Sequence, residues 1–265
     1  MILVAILIFL IATLMTMVGK GGGNFYVVVL ALAKVPMHQA ATTGQFILFT
    51  ASATAMLLFQ RRKSLSWPLA ILVGSLTSVA AFGGGYLSHA FSDFFLKLLF
   101  AAFLILTGIL MLLPPPQLPQ PTQHRPFWIL TIRSGQETYR VNLSLVLPAT
   151  LLTGFAAGMV GVSGGSFLVP LLVLACGVPM QLAVGTASSL IAVTALMGFT
   201  GHALQGDFRP SLAIPLALAA SLGGIVGAHF ALKSKPVHLK RLFAYTNWLA
   251  ALFMILNALH KKGIL

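Results

Sequence analysis

Two short glycine clusters hold the residues best suited to chemistry in this sequence. The first comprises Gly19, Gly21, Gly22 and Gly23 with Lys20 inside it; the second comprises Gly161, Gly164 and Gly165 with Val162 and Ser163 inside it. Glycine lets a backbone turn sharply and lets other groups come close to its N–H donors. Asn24 and Ser166 follow the clusters and precede apolar runs, so each is expected to cap a short helix. Glycine N–H groups leading into a helix N-terminus attract anions through unpaired donors and the helix dipole. The candidate substrate-binding groups are thus Gly21, Gly22, Gly23 and Asn24 at the first cluster and Ser163, Gly164, Gly165 and Ser166 at the second. Two such ends facing each other would make a small oxyanion site. The same glycines also suit close helix packing of the small-xxx-small kind, and the residues leave both readings open.

Lys20 is a further candidate, because a lysine within a membrane segment is costly and is functional by default. Its alternative is a side chain that snorkels to the interface. The string around it lacks the Gly-x4-Gly-Lys-Ser/Thr spacing of a nucleotide P-loop. Downstream of each cluster a helix opens with hydroxyls and amides: Thr42, Thr43 and Gln45 in one, Thr186, Ser188 and Ser189 in the other. Positions 42 and 45 share a helical face, as do 186 and 189. These groups could donate to an oxyanion without adding charge, or bond back to their own helix as membrane Ser and Thr often do.

The sequence argues against other chemistries. Asp93, Glu137 and Asp207 are the only acidic residues, and none lies in an apolar segment, which opposes a carboxylate proton relay or a carboxylate-built cation site. His38, His89, His202 and His229 near segment ends are the remaining titratable candidates, read as interfacial polar residues in preference to proton carriers. No His, Cys and Asp grouping has metal spacing, so no metal and no cofactor is expected, and no Ser/His/Asp set points to an enzyme. The formal net charge of +13 sits mostly in loops, where it meets anionic lipid headgroups. It can also gather an anionic substrate. No basic stripe with interleaved aromatics suggests nucleic acid. Cys176 is the single cysteine and excludes an intrachain disulfide.

The elements that must hold these residues are apolar helices. Of 265 residues 58% are hydrophobic and only 7% charged, far from the roughly one quarter charged of a soluble chain. Apolar segments cover 1–34, interrupted at 19–23, then 40–60, 67–90 and 94–113. A second set covers 143–176, interrupted at 161–165, then 181–204, 211–232 and 239–258. Many reach the roughly 18 or more residues that cross a bilayer core. Met1 to Val18 lacks the basic start and cleavage site of a signal peptide and reads as the first membrane segment. The Pro-rich basic stretch 114–142 separates an N-terminal repeat, 1–113, from a C-terminal one, 143–265. It is expected to be a linker or small extramembrane flap, with a short hairpin around Ser134-Gly135-Gln136 as the lesser alternative.

The two sets resemble each other. Val18 to Leu30 reads VGKGGGNFYVVVL and Val160 to Leu172 reads VGVSGGSFLVPLL; Val35-Pro36-Met37 and Val178-Pro179-Met180 follow. The register shifts by one between these motifs, which places one extra residue near Cys176-Gly177. Repeats with helices interrupted at corresponding places point to a secondary transporter with its site at the repeat interface. Basic residues lie at Arg61, Arg62 and Lys63 in the first half but at Lys233, Lys235, Lys240 and Arg241 in the second. Equivalent loops thus fall on opposite sides under the positive-inside rule, which favours inverted repeats whose interrupted segment dips in and returns. Lys261 and Lys262 count the other way.

The pattern of Gly-rich cluster, apolar helix, Val-Pro-Met step and Ala183-Val-Gly-Thr-Ala-Ser188 helix start, occurring twice, resembles the TauE/SafE family of sulfite and organosulfonate exporters. Gly161–Leu172 with Ala183–Leu190, and Gly19–Val29 with Pro36–Gly44, carry the resemblance, which covers nearly the whole chain outside 114–142. It implies a multi-pass carrier of a bacterial-type inner membrane that moves small anions such as sulfite or sulfoacetate, typically outward. Lys20, Thr42-Thr43-Gly44 and Val28 depart from the family pattern and bear on the exact substrate. An anion channel and a membrane scaffold remain the rival functions. Besides the bilayer and a small anion, a homodimer is the natural partner for a carrier this small.

Overall fold

The computed structural model describes residues 1–88, 93–113, 129–134, 137–160, 165–203 and 208–261. The apolar segments are helices: α1 (Ile2–Met17), α2 (Gly23–Leu32), α3 (Met37–Arg61), α4 (Trp67–Ser88), α5 (Asp93–Leu112), α6 (Leu143–Val160), α7 (Gly165–Pro170), α8 (Met180–Ala203), α9 (Pro210–Lys233) and α10 (Pro236–Lys261). Stretches within α3, α8, α9 and α10 are long and apolar enough to cross a membrane. The departure from an all-α chain is a hairpin, β1 (Ile129–Ser134) against β2 (Glu137–Asn142), antiparallel with Ile129 opposite Asn142 and Ser134 opposite Glu137. The lesser alternative, a short hairpin, thus forms within 114–142, the stretch expected to be a linker or small extramembrane flap. The alternation that marks a strand is brief in this stretch, and the pairing runs over six residues of each strand.

Side-chain size is sorted as a bilayer requires. On α9 the buried positions include Ala213, Ala217, Ala220, Gly223, Gly224, Gly227, Ala228 and Ala231. Leu218, Leu222 and Phe230 are exposed. Lipid tails solvate large apolar side chains, so helices associate through small residues that let backbones approach. A Cβ at Gly223 would stand 2.5 Å from the Phe9 carbonyl oxygen, and one at Gly224 2.5 Å from that of Ala51.

The described residues form two compact units. One comprises Met1–Ser66 with Gln181–Ser234, the other Trp67–Met180 with Lys235–Leu265. In the first, α9 packs along both α1 and α3. Gly223 meets Phe9 and Ala12 while Gly227 meets Thr13 and Thr16, so α1 and α9 run the same way. Gly198 of α8 meets Gln45 of α3 and Gly185 meets Phe59, so α3 and α8 run in opposite directions. At one end of this unit the Ser66 N–H donates to Thr186 Oγ1 at 3.1 Å, and Gln181 Nε2 donates to the Ser234 carbonyl at 3.1 Å. This end joins the C-termini of α3 and α9 to the N-terminus of α8. In the second unit α6 packs along α4 and α10 along α5. There Asn247 Nδ2 donates to Thr107 Oγ1 at 2.8 Å.

Candidate functional site in the interrupted helices

α1 ends where Gly19 turns left-handed at φ 73°. The Gly19 N–H donates to the Thr16 carbonyl at 3.1 Å and the Lys20 N–H to that of Met15 at 2.9 Å. This paired closure is the Schellman arrangement, and it fixes the backbone of Lys20. Gly21 and Gly22 are left-handed as well, at φ 74° and 77°, a conformation that costs any side-chain-bearing residue roughly 1–2 kcal/mol. α2 then begins at Gly23, with the Phe25 and Tyr26 N–H groups both donating to the Gly22 carbonyl. Among the described residues, no backbone carbonyl accepts from the N–H groups of Gly21, Gly22 or Gly23.

The break lies deep in its unit. Gly21 packs against the side chains of Leu48 and Ile191, which sit near the middles of α3 and α8. Gly22 turns back onto Met15 and Ile11 of α1, and Gly44 of α3 lies against Val27 of α2. With α1 parallel to α9 and α2 doubling back along α3, the α1–α2 segment enters, turns at mid-depth and returns to the end it came from. Irregular backbone at that depth is tolerated only where it is buried in protein or lines a cavity.

The positions of the candidate residues divide them. Lys20 is buried, with 6% of its surface exposed. Thr42 and Thr43 are fully buried, and Thr43 Oγ1 has no hydrogen-bond partner among the described residues. The Gln45 side-chain amide lies against Gly198. Thr186 is fully buried, and its hydroxyl oxygen accepts from Ser66. Ser188 Oγ donates to the Val184 carbonyl at 2.9 Å and Ser189 Oγ to that of Thr186 at 2.7 Å. In this state both serines spend their protons on their own helix.

Thr43 and Thr186, matched in sequence, are not brought together. Each stands five residues from the side chain that touches Gly21, in opposite directions along antiparallel helices. At 1.5 Å per residue they are roughly 15–20 Å apart along the axes. They bracket the break rather than share one small ligand.

Asn24 and Ser166 are not helix caps. Gly22 occupies the cap of α2, so Asn24 is its second helical residue; Ser166 is likewise the second residue of α7. The left-handed Gly22 turns the chain early and starts the helix sooner than a capping side chain would. Ser163 and Gly164 lie outside the described residues. Gly165 is buried at the start of α7, and Phe167 two residues on packs edge-to-face on Phe100 and Phe103 near the middle of α5, with centroids 5.8 Å apart in each case. Phe167 thus seats the first turn of α7 beside the middle of α5 in its own unit.

Sequence reading missed Tyr26. Its ring is fully buried in the first turns of α2, and its hydroxyl has no hydrogen-bond partner among the described residues. The available signal was one hydroxyl inside an otherwise apolar run. It also missed a trio of rings, Phe46, Phe199 and Phe208, with centroids 4.9–5.3 Å apart beside Gln45. No three His, Cys, Asp or Glu residues among the described ones gather as a metal site would need.

A family model described as Sulfite exporter TauE/SafE matches residues 4–254. Among similar proteins is the probable membrane transporter protein YunE of Bacillus subtilis, 23% identical over 241 residues that cover 86% of this chain and 87% of YunE. A probable membrane transporter protein of Methanocaldococcus jannaschii is 24% identical over 264 residues, covering 94% of this chain and 92% of the relative. One of Xylella fastidiosa is 26% identical over 241 residues, covering 89% and 87%. No solved structure matches the chain.

Proposed function

The chain belongs to the TauE/SafE sulfite exporter family and is a multi-pass transporter of the cell membrane; from that premise we propose that it moves a small sulfur-containing oxyanion, sulfite or a sulfonate, outward by alternating access. The observation that carries this reading is the break between α1 and α2. It presents glycine N–H groups that have no carbonyl partner among the described residues, at the N-terminus of a ten-residue helix level with the middles of α3 and α8. Unpaired donors and the positive end of a helix dipole at that depth suit an anion and oppose a cation.

On this reading the N–H groups of Gly21, Gly22, Gly23 and Asn24, with Lys20, hold the anion at the first break, and Thr42 stands beside Thr43 on the way to it. Gly164 and Gly165, with Ser163 and Ser166, act the same way at the second. Gln45 and Thr43 lie on the approach from one end of the bundle, and Thr186, Ser188 and Ser189 on the approach from the other. Inverted repeats are supported by the opposed run of α3 and α8, which the motifs equate. The exchange of first and third helices, α1 on α9 and α6 on α4, supports them too.

One observation favours a second reading, in which the glycines serve packing alone. A Cβ at Gly21 would stand 2.7 Å from Leu48 Cδ1, and one at Gly22 2.8 Å from Met15 Cγ. Thermal stabilisation of the purified protein by a panel of anions separates the two. A ligand that binds only the folded state raises the melting temperature with its occupancy. Selective stabilisation by sulfite or a sulfonate over acetate and chloride is expected. A well-folded sample that no anion stabilises would leave packing as the role of the clusters.

A further inference from the structure

Two short stretches of chain, one leading into α4 and one into α9, close on opposite ends of the first unit. The sequence spacing that separates Thr43 from Thr186 also separates Leu65 from Phe208 and Thr42 from Gly185, so the two stretches are counterparts. After α3 the Ser64 N–H donates to the Phe59 carbonyl at 2.9 Å, which turns the chain back onto the start of α8. There the Ser64 carbonyl lies against Gly185, in the space that a Cβ would need, and the Ser66 N–H donates to Thr186 Oγ1. Leu65 and Ser66 are both buried. At the other end Phe208 packs on Phe46 of α3 at 5.3 Å and on Phe199 of α8 at 4.9 Å between ring centroids. Phe46 is one helical turn from Thr43, as Ser189 is from Thr186. Each stretch thus belongs to one half of the sequence and meets the Thr-bearing helix of the other.

We propose that these stretches are the two gates of the carrier: Ser64–Ser66 shuts the approach past Thr186, and Phe208 shuts the approach past Thr43. The inference rests on the transport reading above, under which the site opens to each side in turn and so needs a closure at each end. The contacts suit segments that lift away. The bond from Ser66 ends on a side chain, and closing leaves the buried Ser66 Oγ without a partner among the described residues, so the closed position is held weakly. Phe208 is half-buried and held by ring contacts, whose loss strands no side-chain polar atom. The two closures also differ chemically. Gly185 admits a peptide carbonyl where its counterpart, Thr42, has a side chain, so one end shuts on backbone and the other on aromatic rings. Each can therefore be loosened without touching the other.

The test reads how fast a charged maleimide labels single cysteines in the full chain, in a Cys176→Ser background. Ser189→Cys reports on the approach under Ser64–Ser66, and Gln45→Cys on the approach beside Phe208. Gly185→Ala sets a methyl group against the Ser64 carbonyl. It should speed labelling of Ser189→Cys by about tenfold and leave Gln45→Cys no faster. Phe208→Ala loses two ring contacts and should do the reverse, again by about tenfold. A variant that speeds both positions, as a loosened fold would, or that fails to speed its own, overturns the proposal. If Gly185→Ala does not fold, Leu65→Ala takes its place under the same criterion. Sulfite counterflow by wild type is measured alongside. Its absence would overturn the transport reading and the gates with it, whereas a transporting wild type whose variants break the labelling pattern overturns the gates alone.

Discussion

Thr43 and Thr186 occupy matching places in the two sequence motifs, yet their hydroxyls are used differently. Thr43 Oγ1 is buried and has no partner among the described residues, which costs stability that a ligand would recover. Thr43→Val keeps the shape and removes the hydroxyl. It should raise the melting temperature of the ligand-free protein, by the equivalent of about 1 kcal/mol, while shrinking the shift that sulfite produces. A variant with an unchanged sulfite shift would remove Thr43 from the site. Thr186→Val leaves the buried Ser66 N–H without its acceptor, so it should destabilise the fold by about 1–3 kcal/mol, read as a lower midpoint of thermal unfolding. An unchanged midpoint would contradict that bond. The residue types and their helical spacing were legible in the sequence, as was the choice facing Ser188 and Ser189 between ligand and own helix. The fate of Thr186 was not, because its partner arrives from 120 positions away in the chain. No local pattern reports such a neighbour.

Element boundaries were largely legible because apolar runs here stop at glycine, proline or charge. α3 ends at Arg61 before Arg62 and Lys63, and α9 starts at Pro210. What resisted reading was detail set by backbone geometry, such as the early start of α2. The extra residue placed near Cys176-Gly177 has a counterpart in the fold. α7 runs on into a π-helical turn, Leu171–Ala175, where the Cys176 N–H reaches back to the Leu171 carbonyl at 3.2 Å. A π-turn is the form an α-helix takes when it absorbs one additional residue. Deleting the half-buried Leu174 should therefore leave a folded protein of unchanged helicity by circular dichroism. Deleting Val29 from the regular α2 should not. The glycines of the helices sort in the same physical way. A methyl group added at Gly83 would meet nothing within 4 Å, so Gly83→Ala should be neutral or stabilise by up to about 1 kcal/mol. At Gly227 the methyl would meet the Thr13 carbonyl oxygen of α1, a backbone atom that cannot rotate away. Gly227→Ala should lower stability by about 1–3 kcal/mol, and equal melting temperatures for the two variants would contradict this packing.

At the scale of the molecule, sidedness follows from which ends the helices share. Arg61, Arg62, Lys63 and Lys233 are exposed at the end that holds Thr186, whereas the opposite end of the same unit carries Lys34 and Arg209. The more basic end is expected to face the cytoplasm. In a Cys176→Ser background, Arg62→Cys and Lys233→Cys should be labelled from one side of the membrane and Ser211→Cys from the other. Labelling of all three from one side would contradict the opposed run of α3 and α8. That arrangement matters because a carrier must expose one site to each side in turn, and Thr43 and Thr186 flank the break on opposite approaches. The central claim is best tested by counterflow in proteoliposomes, with labelled sulfite outside and unlabelled sulfite trapped inside. A carrier predicts saturable uptake that internal sulfite accelerates and that weakens in Thr43→Val. Uptake that is indifferent to internal sulfite and never saturates would mean a channel. No uptake by a folded, correctly inserted protein would contradict sulfite transport altogether.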